Sequence, residues 1–273
     1  MAFTDNCDLY GAVHEDGVNR AIRHIMSQRP SLFNYATAGV AANPRLWCSK
    51  VAHTADVTKY GNPLFTILPP LPLLGADAPP VGIGFCAQLV QAQMDFHPGN
   101  AVTLPAELNP PLPEQHFSLH FRICAAIECP SPKLVDQVPV SGSSAARDNK
   151  QPPGPPIVFP GFTHCFCLDV YAVGHISREF IAGREALVAT VDEMDIVDIK
   201  PDALESNVIC YLMTTANVVL REKLTIAIET LMVSFPLLGL ATVTLSPTPD
   251  PPIPHNPAVE DDQVKVFITM TVI

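Results

Sequence analysis

The longest stretch of the chain without glycine or an internal proline is PDALESNVICYLMTTANVVLREKLTIAIETLMVSF, residues 201–235. Leu204, Val208, Leu212, Thr215, Val219 and Lys223 recur there at three- and four-residue steps, and Ile209, Met213, Ala216 and Leu220 widen the stripe beyond half the circumference. Pro201 and Asp202 suit a first helical turn, so the pattern predicts a long apolar helix that needs cover on several sides. It is a poor membrane span: the uncharged run over 206–220 has about 15 residues where roughly 20 are needed, and it includes threonines and asparagines. From Leu224 the alternation of Leu224, Ile226 and Ile228 with Thr225, Ala227 and Glu229 turns the pattern toward an extended segment.

Toward the N-terminus, residues 8–13 form a candidate short strand, and HEDGVNRAIRHIMSQRP follows as an amphipathic helix with Val18, Ala21, Ile22, Ile25 and Met26 on one face and Pro30 as its stop. Its acidic start (Glu15, Asp16) and basic later turns (Arg20, Arg23, Arg29) match the helix dipole, which explains the arginines better than an anion site does. Residues 31–80 are weakly patterned, and ILPPLPLLGADAPP is an apolar loop that wants cover.

Long alternating runs come next. VGIGFCAQLVQAQMDFHPG sets Ile83, Phe85, Ala87 and Leu89 on one side, then Val90, Ala92, Met94 and Phe96 on the other parity, which predicts a bend near Leu89. HFSLHFRICAAIEC points Phe117, Leu119, Phe121, Ile123, Ala125 and Ile127 inward and His116, Ser118, His120, Arg122 and Glu128 outward. CFCLDVYAVGHISREF keeps Phe166, Leu168, Val170, Ala172 and Ile176 in phase, LVATVDEMDIVDI adds another strand, and FPLLGLATVTLSPTP and QVKVFITMTVI supply the last ones. The Pro/Ser/Gly-rich stretch over 130–160 interrupts strands of one type and reads as a hairpin insertion within a single domain, 1–273. The expected fold class is α+β: a strongly curved antiparallel sheet wrapping a long helix, with an N-terminal amphipathic helix.

Composition sharpens this picture. Of 273 residues, 48% are hydrophobic and 16% charged, with 29 prolines and a mean hydropathy of +0.23, which excludes a disordered chain and fits extended segments with rigid connections. A net charge of −11 sets the field against nucleic-acid phosphates and anionic membranes. The start, MAFTDNCDLYGAVHED, lacks the basic and apolar regions of a secretory signal, so a cytoplasmic location is expected.

The order of elements resembles the TULIP superfamily of tubular lipid-binding proteins, which includes the bactericidal/permeability-increasing-protein-like domains. The likeness rests on GAVHEDGVNRAIRHIM, where a strand enters the first helix, and on the succession of LVATVDEMDIVDI, the long apolar helix, PLLGLATVTLSPTP and VKVFITMTVI. It spans nearly the whole chain as a pattern and involves no catalytic string. It implies a curved sheet around a long helix with an elongated apolar tunnel. The basic tip and signal peptide of the bactericidal members are missing, so the intracellular members are the better comparison.

Candidate chemistry is sparse. Cys124 and Cys129 end one strand while His164, Cys165 and Cys167 begin the next, so a hairpin brings them together; zinc held by Cys124, Cys129, Cys165 and Cys167, a cross-strand disulfide and free thiols are all compatible with that spacing. Cys7, Cys48, Cys86 and Cys210 read as small core residues. His14, His24, His97 and His255 are scattered, and His116, His120 and His175 occupy outward strand positions, where a lone histidine is usually a surface residue. Asp192, Glu193, Asp195 and Asp198 crowd one strand and are compatible with a cation or a basic partner, though a solvated, edge-protecting face explains them better. No Gly-x-Ser-x-Gly elbow, phosphate loop or His-Glu-x-x-His motif is present, so no enzyme is expected.

The leading expectation is a non-catalytic protein that encloses a lipid or other long apolar ligand. Val18, Ile22, Met26, Phe121, Leu168, Leu212, Met213 and Val219 line the tunnel in this reading, at roughly 0.8 kcal/mol per buried methylene. The alternative is a structural or adaptor subunit with a filled core, acting through a protein partner or as a homo-oligomer.

Overall fold

The computed structural model describes residues 6–72, 82–129, 162–181, 184–200, 225–227, 234–237, 241–248 and 253–272. In chain order the elements are β1 (Leu9–His14), α1 (Glu15–Gln28), β2 (Asn34–Ala36), α2 (Ala38–Ala41), α3 (Ala55–Lys59), β3 (Thr66–Ile67), β4 (Leu71–Pro72), β5 (Gly82–Ile83) and β6 (Phe85–Phe96). There follow β7 (His116–Cys129), β8 (Phe162–Ile181), β9 (Arg184–Lys200), β10 (Thr225–Ala227), β11 (Ser234–Leu237), β12 (Ala241–Pro247), β13 (Ala258–Glu260) and β14 (Gln263–Val272). One sheet runs β1-β14-β12-β11 with β13 also paired to β14, a second runs β10-β9-β8-β7-β6-β2-β3, and β4 pairs with β5.

The expected α+β architecture is overturned. Strands dominate the described residues, their three α-helices have 14, 4 and 5 residues, and neither main sheet closes on itself. The period-two runs that make β6 to β9 are long enough to satisfy one another's backbone groups side by side, so they need no helix to clasp. The helical stripe expected from residue 201 lies outside the described residues, as do 130–161; β10 does form where the pattern turned extended.

Two compact units are present. The first comprises Met1–Arg23, Gln91–Arg122 and Leu168–Ile273. Here β1 pairs antiparallel with β14 from Leu9↔Ile268 to His14↔Gln263, and β12 and β13 pair with the other side of β14. The β13–β14 hairpin turns on Asp261 and Asp262 with φ of 54° and 59°, the left-handed pair that a two-residue type I′ turn demands and that short carboxylate side chains tolerate. The early part of α1 is anchored by polar groups: Asn19 donates to the Met94 carbonyl at 2.6 Å and accepts from Met94 N–H at 2.8 Å.

That anchoring corrects the expected helix face. Glu15 and Asn19 are the buried residues of α1, Val18, Ile22 and Met26 are half-buried, and Ala21 and Ile25 are exposed. Two-way hydrogen bonding to a strand backbone fixes the helix more specifically than its apolar stripe does.

The second unit comprises His24–Val90 and Ile123–Cys167. Its core gathers Ala36, Val40, Val51, Phe65 and Cys86, with Trp47 packed against Phe65 at 4.9 Å between ring centroids. Buried Gln88 is engaged at both ends: Oε1 accepts from Cys48 and Ser49 N–H at 3.0 Å each, and Nε2 donates to the Ser49 carbonyl at 2.8 Å. In consequence β6 buries Cys86 and Gln88 where Phe85 and Ala87 were expected. The later parity, Ala92 and Phe96, is as the alternation predicted. In β7, Phe117 and Leu119 are buried as expected, but beyond Phe121 burial shifts to Cys124 and Ala126.

Candidate functional site

Three adjacent strands, β7, β8 and β9, carry the polar chemistry of the first unit. The chain enters β7 through a turn in which Gln115 takes φ 61° and His116 N–H bonds the Pro113 carbonyl. The same turn sets the ring: His116 Nδ1 lies 2.6 Å from the Glu114 carbonyl oxygen. A carbonyl only accepts, so Nδ1 carries the proton and Nε2 is left with its lone pair in the neutral ring. On β8, His175 Nδ1 lies 2.8 Å from Asp192 Oδ2 and 3.0 Å from Oδ1, the carboxylate coming from β9. His116 Nε2 is 3.7 Å from that same Oδ2, and the two imidazoles meet edge-on at 6.0 Å.

All three side chains are between 30% and 39% exposed, so solvent reaches the cluster. One ligand atom from each of His116, His175 and Asp192 lies within 4.8 Å of the other two.

Four residues along β7, His120 Nε2 bonds Asp169 Oδ1 at 2.8 Å and its ring stacks on Tyr171 at 4.5 Å with a 7° tilt. Between the histidines, buried Ser118 has an Oγ without a hydrogen-bond partner. Leu104, Leu108 and Leu112, from the connection after β6, pack on Val173 and Tyr171 of β8. The connection leaves β6 through Gly99, where φ is 82° and any Cβ would stand 2.9 Å from Leu112 Cβ; backbone conformation and close approach both require glycine.

The expected sites are distributed differently. The zinc expectation at Cys124, Cys129, Cys165 and Cys167 is corrected: Cys124 is bonded to Cys167 and Cys165 to Cys48, and disulfide sulfurs are not thiolate ligands. The Cys129 side chain lies outside the described residues. Cys48, expected as a core residue, is a disulfide partner, whereas Cys86 is free and buried. Of the tunnel residues, Leu168 is buried, Val18, Ile22, Met26 and Phe121 are half-buried, and Leu212, Met213 and Val219 lie outside the described residues.

Small cavities among the described residues include two of about 10 and 30 Å³, room for about one water each. Met26 borders the larger one; the other four described tunnel residues border neither.

The histidines at 116, 120 and 175 are the residues that reading strands one at a time missed. Each looked isolated. The usable signal was the cysteine pairing: with Cys124 opposite Cys167, stepping back four residues on one strand and forward four on the other sets His120 beside Tyr171 and His116 beside His175.

No family model matches the chain, and no curated protein matches its sequence. No helix among the described residues is long and apolar enough to cross a membrane.

Proposed function

We propose that the protein is a non-catalytic structural component that self-associates through the edge of its smaller sheet. The observation that carries this reading is β1. All six of its residues are exposed, its described pairing is with β14 on one side, and Leu9, Tyr10 and Val13 are 43%, 39% and 54% exposed. Edge strands are ordinarily protected by lysine, proline or a bulge, and LYGAVH has none of these.

The occupant that fits is β1 of a second copy. Antiparallel pairing about Gly11 sets Leu9 against Val13 of the other chain on one face and Tyr10 against Ala12 on the other, and Gly11 has open space where a side chain would sit. Two chains of net charge −11 repel, so added salt strengthens the contact. Sedimentation equilibrium tests this. A salt-promoted dimer that Val13→Lys abolishes without lowering Tm is expected; a monomer at every concentration and salt level refutes it.

The two disulfides favour an oxidising compartment over the cytoplasm expected from the N-terminus. Enclosure of a lipid would draw on residues outside the described ones, and organic extraction of the purified protein separates that reading from self-assembly.

A further inference from the structure

The geometry points to a divalent transition-metal site at His116, His175 and Asp192, of the zinc class, with water completing the coordination. Three observations converge on it, independently of the β1 edge.

The first is the donor set. Two imidazole nitrogens and one carboxylate suit borderline cations such as Zn²⁺, Co²⁺ and Ni²⁺, and three protein ligands with an open position is the usual arrangement at accessible zinc.

The second is the tautomer of His116. Its Nδ1–H is spent on the Glu114 carbonyl at 2.6 Å, which leaves the Nε2 lone pair turned toward Asp192 Oδ2 at 3.7 Å. When the ring is neutral, two acceptors face each other across that gap, and a cation between them turns the opposition into two bonds. A backbone carbonyl holding the far nitrogen is also how ligating histidines are normally oriented.

The third is spacing. At bond lengths of about 2.0–2.2 Å, tetrahedral ligands stand roughly 3.3–3.6 Å apart. The 3.7 Å gap needs almost no change, while Asp192 and His175 Nδ1 at 2.8 Å must part by several tenths of an ångström. His175 gives up its Nδ1 proton to solvent and takes one at Nε2, so the imidazole stays neutral and the metal replaces the hydrogen bond. A hydrogen-bonded pair alone explains His175 and Asp192; it does not explain why His116 is held with its free nitrogen toward the same oxygen.

The test uses the full, tag-free, oxidised chain stripped with chelator. Titration with Co²⁺ should give one equivalent of tetrahedral visible absorption without a thiolate charge-transfer band, displaced by Zn²⁺. His116→Gln and Asp192→Asn should each weaken binding at least tenfold, and His120→Ala should leave it unchanged. Independently of any variant, Co²⁺ should shift the exchangeable imidazole resonances of two histidines in the wild-type protein. Absence of cobalt uptake, uptake that survives the double substitution, or shifts of fewer than two imidazoles would overturn the assignment.

Discussion

Glu15 shows how much one side chain can carry. It is buried at the start of α1, where its Oε2 accepts from Phe96 N–H at 2.9 Å. Desolvation raises its pKa from 4.5 to about 7, helped by a hydrogen bond with Asp95 and by the charges of Asp95 and Asp262, against the lowering effect of the Phe96 bond. The folded state therefore holds this proton more tightly than the unfolded chain. Both forms are protonated below pH 4.5; as pH rises toward 7 the unfolded chain ionises first, and stability of order 3 kcal/mol is lost across that window. Glu15→Gln keeps the acceptor for Phe96 and removes the titration. Urea midpoints should show the variant's stability flat over that range relative to wild type, and parallel curves would disprove this account.

At the scale of elements, alternation located the long strands but not which parity is buried throughout. Gln88 is the clearest case. A glutamine reads as solvent-facing until its hydrogen-bonding positions are claimed by the 48–49 backbone, which no local pattern announces. The site was hidden for a similar reason, since His116, His175 and Asp192 meet only once the register of three strands is known. Gly174 marks how tightly β8 and β9 approach: a Cβ there would strike the Thr190 carbonyl oxygen and stand 2.8 Å from Phe117 Cζ. Backbone cannot yield as a side chain can, so Gly174→Ala should cost roughly 2–3 kcal/mol in denaturant titration. A change below about 0.5 kcal/mol, within the range of inert surface substitutions, would show that the strands separate freely.

For the molecule as a whole, composition pointed to a strand-rich chain, while the long apolar stripe drew the expected fold toward a wrapped helix. The described residues instead satisfy their backbones sheet-wise, and covalent links enter where ligated metal was one of the options. With eight cysteines in the sequence and two disulfides among the described residues, the denatured unreduced chain should titrate at least four fewer thiols than the reduced one. Equal thiol numbers would refute the bridges. Reduction should lower stability by roughly 3–5 kcal/mol for each link, because they span 117 and 43 residues.

The shorter of those links has a further effect. Lys133, Arg147 and Lys150 all fall between Cys124 and Cys167. A single tryptic cut after any one of them would break the polypeptide, yet the two pieces would migrate together on a gel until a reductant was added.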